Sequence, residues 1–121
     1  MTLQEALHQD RNILSEIDLS GLDGSARLAF ARAHRSVKER CAEGRKAAQR
    51  IRREHAQTGE DGEVLTNDEG IPLVEDEAAH NDALADLMGS EVEVKKVPEE
   101  HWQGLTNDQV AILEPILEAN E

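Results

Sequence analysis

Between Ser25 and Gln57 the chain has no proline and a single glycine, Gly44, and is dominated by Ala, Arg, Lys and Glu, all strong helix formers. Within that stretch Phe30, His34, Val37, Cys41, Gly44, Ala48, Ile51 and His55 keep an unbroken 4-3-4-3 spacing, the repeat of a helix packed along another helix. A helix over 25–57 would be about 50 Å long at 1.5 Å per residue. Its seam is narrow and made of small residues, which suits close backbone approach. Residues 2–17, with Leu3, Leu7, Asp10, Leu14 and Ile17 at steps of four and three, predict a second, amphipathic helix of about half that length. Leu19 to Gly24 supplies a turn, and Asp23 or Ser25 can cap the long helix.

After Gln57 the pattern changes. Val64-Leu65 and Ile71 to Val74 flank a polar turn and predict two short strands, with Pro72 confining the second to an edge or an end. Asp76 to Met88 predicts a short helix closed by Gly89. The alternation Glu91-Val92-Glu93-Val94-Lys95 predicts a third, half-buried strand ended by Pro98. Thr106 with Gln109 forms a capping-box pattern before a last helix that Pro115 should kink or restrict to two short turns. No internal repeat is evident. The expected fold is α+β and mainly helical: an antiparallel helical hairpin with one long helix over residues 1–57, then a small acidic module of short strands and short helices over 58–121, together one compact domain.

Charge follows the same division. Ten of the thirteen Lys and Arg residues lie in 25–57, giving net charges of −4 for 1–24, +7 for 25–57 and −16 for 58–121. A chain of net −13 is a poor non-specific ligand for nucleic acid or an anionic membrane, so only the basic helix could attract an anion. Aromatic interleaving of the kind that binds single strands is absent apart from Phe30. The core material is thin. One Phe, one Trp, no Tyr and 38% hydrophobic residues leave a long seam that a half-length helix cannot cover. We therefore expect a homo-oligomer formed along Phe30, Val37, Cys41, Gly44, Ala48 and Ile51.

Motifs for chemistry are few. Asp61, Asn67, Asp68 and Glu69 are oxygen donors near glycines, but counting back five positions from Gly62 or Gly70 meets Gln57 or Leu65, where a helix-loop-helix calcium site needs Asp. The five histidines lack ligand spacing, so no metal site is expected. His34 and His55 on the seam raise a pH-sensitive association. Cys41, the single cysteine, lies on the seam as a small apolar residue and has no base beside it. It forms no internal disulfide, consistent with a reducing compartment. No phosphate-cradling glycine loop or nucleophile elbow is present. The expectation is a non-enzymatic protein without a cofactor or catalytic residue. No stretch reaches the roughly 18–20 apolar residues of a membrane span, and residues 1–12 lack the features of a secretory signal, so a cytoplasmic protein is expected.

The order of features in the second half, Gly59-Glu60-Asp61-Gly62-Glu63, Gly70-Ile71-Pro72-Leu73-Val74, Ala85-Asp86-Leu87-Met88, Glu91-Val92-Glu93-Val94, Leu105 to Gln109 and Leu113-Glu114-Pro115-Ile116-Leu117, resembles a family of small tailed-bacteriophage and prophage proteins of unknown function. The resemblance spans residues 25–117. It implies a phage setting, with the host cytoplasm as location, and carries over no catalytic or binding residue. The central helix departs from that pattern in its richness in Arg. Two functions follow as expectations. The first is a self-associating structural or interaction protein, a phage assembly or regulatory component. The second is a phage-encoded anion- or nucleotide-binding module, in counter-defence or associated with nucleic acid, using Arg45, Arg50, Arg52 and Arg53, whose guanidinium forks suit phosphate. A protein partner with an acidic surface is a further reading of the same cations.

Overall fold

The structure, a computed structural model, describes residues 1–118. It is α+β and mainly helical, with one long helix followed by short strands and short helices. Helix α1 spans Leu3–His8 and continues as a widened π turn over Gln9–Leu14. Thr2 opens α1 with a capping box: its hydroxyl accepts from the Glu5 N–H at 3.2 Å, and the Glu5 carboxylate accepts from the Thr2 N–H at 3.0 Å, satisfying two donors that a helix start leaves free. Helix α2 spans Gly24–Glu54, and Asp23 is its cap, accepting from the Ala26 N–H at 2.8 Å. Helix α3 spans Glu77–Met88 with Asp76 as its N-cap and Gly89 as its C-cap. Gly89 ends it in right-handed backbone, φ −83°, so its freedom to turn left-handed is not used. Helix α4 spans Asn107–Leu113, and Thr106 and Gln109 form the expected capping box. Pro115 then falls in a tight turn over Glu114–Ile116, where its missing N–H breaks no helical bond.

The chain forms two compact units, Met1–Ala42 with Glu91–Glu121, and Glu43–Ser90. The charge boundary at 57/58 lies inside the second of them.

In the first unit a single apolar cluster gathers Ala6 and Leu14 from the first helix, Phe30, Ala33, Val37 and Cys41 from α2, and Val97, Leu113, Ile116 and Leu117 from the C-terminal region. Polar bonds pin these segments. His34 Nε2 lies 3.1 Å from Asp10 Oδ1, the Gln9 amide donates to the Ile112 carbonyl at 2.9 Å, and the Gln109 amide donates to the Asp18 carbonyl at 3.0 Å. Strand β1, Val97–Pro98, pairs parallel with β2, Leu117–Glu118, and the Trp102 indole N–H donates to the Val97 carbonyl at 2.9 Å.

The strand expected over 91–97 does not form. Glu91 makes one antiparallel bridge to Thr2, the Lys95 N–H is taken by the Ser36 hydroxyl at 2.8 Å, and Pro98, expected to end the strand, lies inside β1. The side-chain alternation is nevertheless real, because Val92 and Val94 pack against the core. Alternation records which side faces inward and leaves open whether a neighbouring backbone is there to pair with.

The second unit contains a closed cycle that the two-strand expectation missed. Three extended stretches, 55–59, 63–67 and 71–75, bond to one another in turn. The Leu65 N–H donates to the Gln57 carbonyl at 2.8 Å, Leu73 to Leu65 at 2.9 Å, and Gln57 to Leu73 at 2.7 Å. A second tier repeats the pattern: Gly59 to Glu63 at 2.8 Å, Asn67 to Ile71 at 2.9 Å, and Glu75 to His55 at 2.8 Å. Donors in both tiers recur every eight residues, and so does the sequence. Gln57-Thr58-Gly59-Glu60-Asp61-Gly62-Glu63-Val64 matches Leu65-Thr66-Asn67-Asp68-Glu69-Gly70-Ile71-Pro72 at Thr, at two acidic positions and at Gly.

Gly62 and Gly70 both take left-handed backbone, φ 82° and 79°, as three-residue hairpin loops with a glycine bulge require. A third copy starts at Leu73-Val74-Glu75, has Ala78 in place of the glycine, and runs into α3. Neighbouring stretches meet through single bridges, Ala56 with Val74, Thr58 with Val64 and Thr66 with Pro72. Pro72 is tolerated because ring donors occupy odd-numbered positions, so its lack of an N–H leaves no gap in the cycle.

Candidate functional site

The six seam residues do not share one fate. Phe30, Val37 and Cys41 are 1%, 0% and 0% exposed and are covered within the chain by the first helix and the C-terminal segments. Gly44 is buried, while Ala48 and Ile51 are half-buried in the second unit. The first half of the seam is thus spent on the chain's own core. Of the seam histidines, His34 is held by Asp10 and His55 stands edge-on to His80, ring centres 6.2 Å apart.

The second unit contains a cleft of about 810 Å³, within the range of small-molecule sites. Helix α2 gives it Ala48, Gln49, Arg52 and Arg53; the octapeptide ring gives Val64, Thr66, Gly70, Ile71 and Pro72; α3 gives His80 and Leu84. Each element presents these residues for a local reason. On α2 they fall at i, i+1, i+4 and i+5, one side of the helix. His80 precedes Leu84 by one turn and so shares the inward face of α3.

A smaller recess of about 210 Å³ adjoins through shared residues, lined by Lys46, Gln49, Arg50 and Arg53. Lys46, Arg50 and Arg53 occupy successive turns of α2 and form a basic stripe. Gln49 and Arg53 border both hollows.

Neither lining includes an Asp or a Glu, in a chain with 26 carboxylates. Among the described residues the side chains of Lys46, Arg50, Arg52 and Arg53 have no ion-pair or hydrogen-bond partner. Arg52 and Arg53 sit in the last turn of α2, where a cation also complements the helix dipole. Lys46 and Arg50 lie a turn or more further back, where that effect has faded. Arg45, a candidate from sequence, lines neither hollow and is not without a partner.

His80, at 5% exposed, forms part of the floor. Its Nδ1 lies 3.4 Å from Asn81 Oδ1, which favours the Nδ1–H tautomer, and its Nε2 is sealed from solvent with no partner among the described residues. Lys46, Gln49, Thr66 and His80 thus line the candidate site without having been singled out from the sequence. The i, i+4, i+7 spacing of Lys46, Arg50 and Arg53 was the available signal for the stripe. His80 had a weaker one in its place on the apolar side of α3.

Among the described residues no cluster of three or more His, Cys, Asp or Glu is placed to hold a metal ion, and no helix is long and apolar enough to cross a membrane. No protein-family profile, curated protein or solved structure matches the chain.

Proposed function

We propose that the protein is a small, non-catalytic binding module whose unit Glu43–Ser90 captures a compact anionic ligand, with Arg52 and Arg53 at the cleft and Lys46 and Arg50 beside it. One observation carries the reading: among the described residues, four cations whose side chains have no anionic partner surround hollows that no Asp or Glu lines, although acids outnumber cations twofold along the chain. Net negative charge does not oppose it. At physiological ionic strength the screening length is about 8 Å, so a bound anion responds to the guanidinium groups it touches. The resemblance to small phage and prophage proteins supports a phage-encoded module acting in the host cytoplasm. Calorimetry with phosphorylated small molecules at physiological salt is the test. Micromolar binding that weakens as salt rises and is lost in Arg52→Ala/Arg53→Ala is the expected result, and no binding to any member of such a panel removes the proposal.

Self-association is a second reading, with a different surface from the helical seam. Val64, Leu65 and Leu73 on the ring are 40%, 41% and 39% exposed, and paired burial of such side chains is favourable at roughly 25 cal/mol per Å². Light scattering should then give a dimer or larger species that Leu65→Lys/Leu73→Lys converts to monomer.

A further inference from the structure

We infer that the ligand is a nucleotide with more than one phosphate, its base in the cleft and its phosphates along the stripe of α2. The inference rests on the anion-capture reading and adds to it the division of the site into two unlike compartments that share residues. The cleft is walled by Val64, Ile71, Pro72 and Leu84, apolar surfaces suited to the faces of a flat, weakly polar body. An inorganic or purely polyanionic ligand would leave those surfaces uncovered.

At its border stand groups that read a heterocycle: the Gln49 amide offers a donor and an acceptor, the Thr66 hydroxyl offers both, and guanidinium planes stack on aromatic rings. Phe30 and Trp102, the only Phe and Trp of the chain, lie in the other unit, so stacking here falls to guanidinium, proline and the His80 imidazole.

The second compartment has the opposite chemistry. Lys46, Arg50 and Arg53 point three cations from successive turns toward one shallow recess, and the seven residue steps from first to last span about 10 Å of helix. That reach exceeds what one phosphate occupies and suits a chain of two or three. Arg53 and Gln49, which line both hollows, mark the junction of base and first phosphate.

The experiment uses the full chain and four probes measured by calorimetry: a nucleoside, its monophosphate, its triphosphate, and inorganic tripolyphosphate. The triphosphate should bind at least about tenfold more tightly than either the nucleoside or tripolyphosphate, a difference of about 1.4 kcal/mol. Lys46→Ala/Arg50→Ala should bring triphosphate affinity down to that of the monophosphate. Thr66→Phe, a change at an exposed position that narrows the cleft, should abolish the preference for triphosphate over tripolyphosphate; circular dichroism and a thermal melt verify that each variant is folded. Equal binding of tripolyphosphate and triphosphate overturns the nucleotide assignment and leaves anion capture standing. Silence from all four probes removes both. A single-stranded oligonucleotide that outcompetes the triphosphate also overturns the assignment, because the stripe would then be part of a nucleic-acid track.

Discussion

The unit of residues 1–42 and 91–118 seals Phe30, Val37, Cys41, Val97, Leu113 and Ile116 from solvent, whereas in the unit of residues 43–90 the buried positions are Gly44, Ala56 and His80. Every residue from Asp61 to Gly70 is exposed. The first unit is held by apolar burial around one cluster. The second is held by a short backbone cycle of six hydrogen bonds, each worth about 1 kcal/mol net. It has too few large apolar side chains to fill the space between α2, the ring and α3, and that space is the cleft. Shape and charge available for binding thus lie where burial is least, in keeping with the tendency of ligand sites to occupy the less stable parts of a fold.

Truncation in the core should separate the two units most sharply. Phe30→Ala is expected to cost about 3–5 kcal/mol, read as a loss of urea midpoint in Trp102 fluorescence, since the indole sits in the same unit. Leu65→Ala and Leu73→Ala, already about two-fifths exposed, should each cost less than about 1 kcal/mol. Equal losses from the ring and the core would mean that the ring carries hidden burial, and the comparison would fail.

Three glycines with left-handed backbone refine the contrast. A methyl group added at Gly104, φ 94°, would meet Leu22 Cδ2 at 3.1 Å and the Gly21 carbonyl at 3.4 Å, whereas at Gly62 and Gly70 it meets nothing within 4 Å. Gly104→Ala should therefore cost about 2–3 kcal/mol, backbone strain plus steric conflict. Gly62→Ala and Gly70→Ala should each cost about 1 kcal/mol, from backbone strain alone. Matching values at 62 and 70 would support the octapeptide equivalence, and thermal denaturation of the three variants measures all of it.

The proposed binding residues should behave in reverse. Arg52→Ala/Arg53→Ala is expected to leave stability within about 0.5 kcal/mol while removing phosphate affinity, so a melt and a titration on one sample discriminate a binding pair from a structural one.

The smallest effect is with pH. The Glu5 carboxyl is held below its usual range by hydrogen bonds from Thr2, backbone first, and Asp18 by bonds from Ser20, side chain first. A carboxyl whose folded pKa is depressed stabilises the fold above its unfolded pKa and loses that contribution as pH falls through the folded one. Both belong to the first unit, so acid should loosen the start of α1 and the turn after Ile17 before the ring responds. Amide exchange at Thr2 and Ser20, followed below pH 5, reads it, and Glu5→Gln should remove the pH dependence at Thr2.

Much of the local structure was legible because its causes lie within four residues. Asp76 before α3, Thr106 with Gln109 before α4, and the break at Pro115 each bond, or decline to bond, with near neighbours, and each stands where the pattern placed it. The alternation at 91–95 was legible only as facing, since its backbone partners come from Thr2 and Ser36. The ring escaped because its repeat preserves Thr, Gly and acidic residues, which read as turns, and allows the other positions to vary, Val64 against Pro72 and Gln57 against Leu65. Of the four arginines singled out, Arg52 and Arg53 reach the cleft, Arg50 reaches the recess and Arg45 reaches neither; composition cannot rank cations on a helix whose neighbours are unknown.

What the sequence determined by itself is the long helix and its start, the caps of its smaller companions and the segregation of charge, because propensity, capping and proline act over a turn or less. The long helix's end at Glu54, three residues short of the expected Gln57, is set by the ring that takes up residues 55–59. Tertiary structure decided who covers the seam. Phe30, Val37 and Cys41 meet the chain's own first helix and C-terminal segments, while Arg52 and Arg53 line the cleft and Lys46 and Arg50 the recess beside it, neither of which is lined by an Asp or a Glu. A heptad spacing states that a face will be buried, and a surplus of acids states that partners are available. Which surface arrives depends on closing the chain over tens of residues, and no periodicity records that.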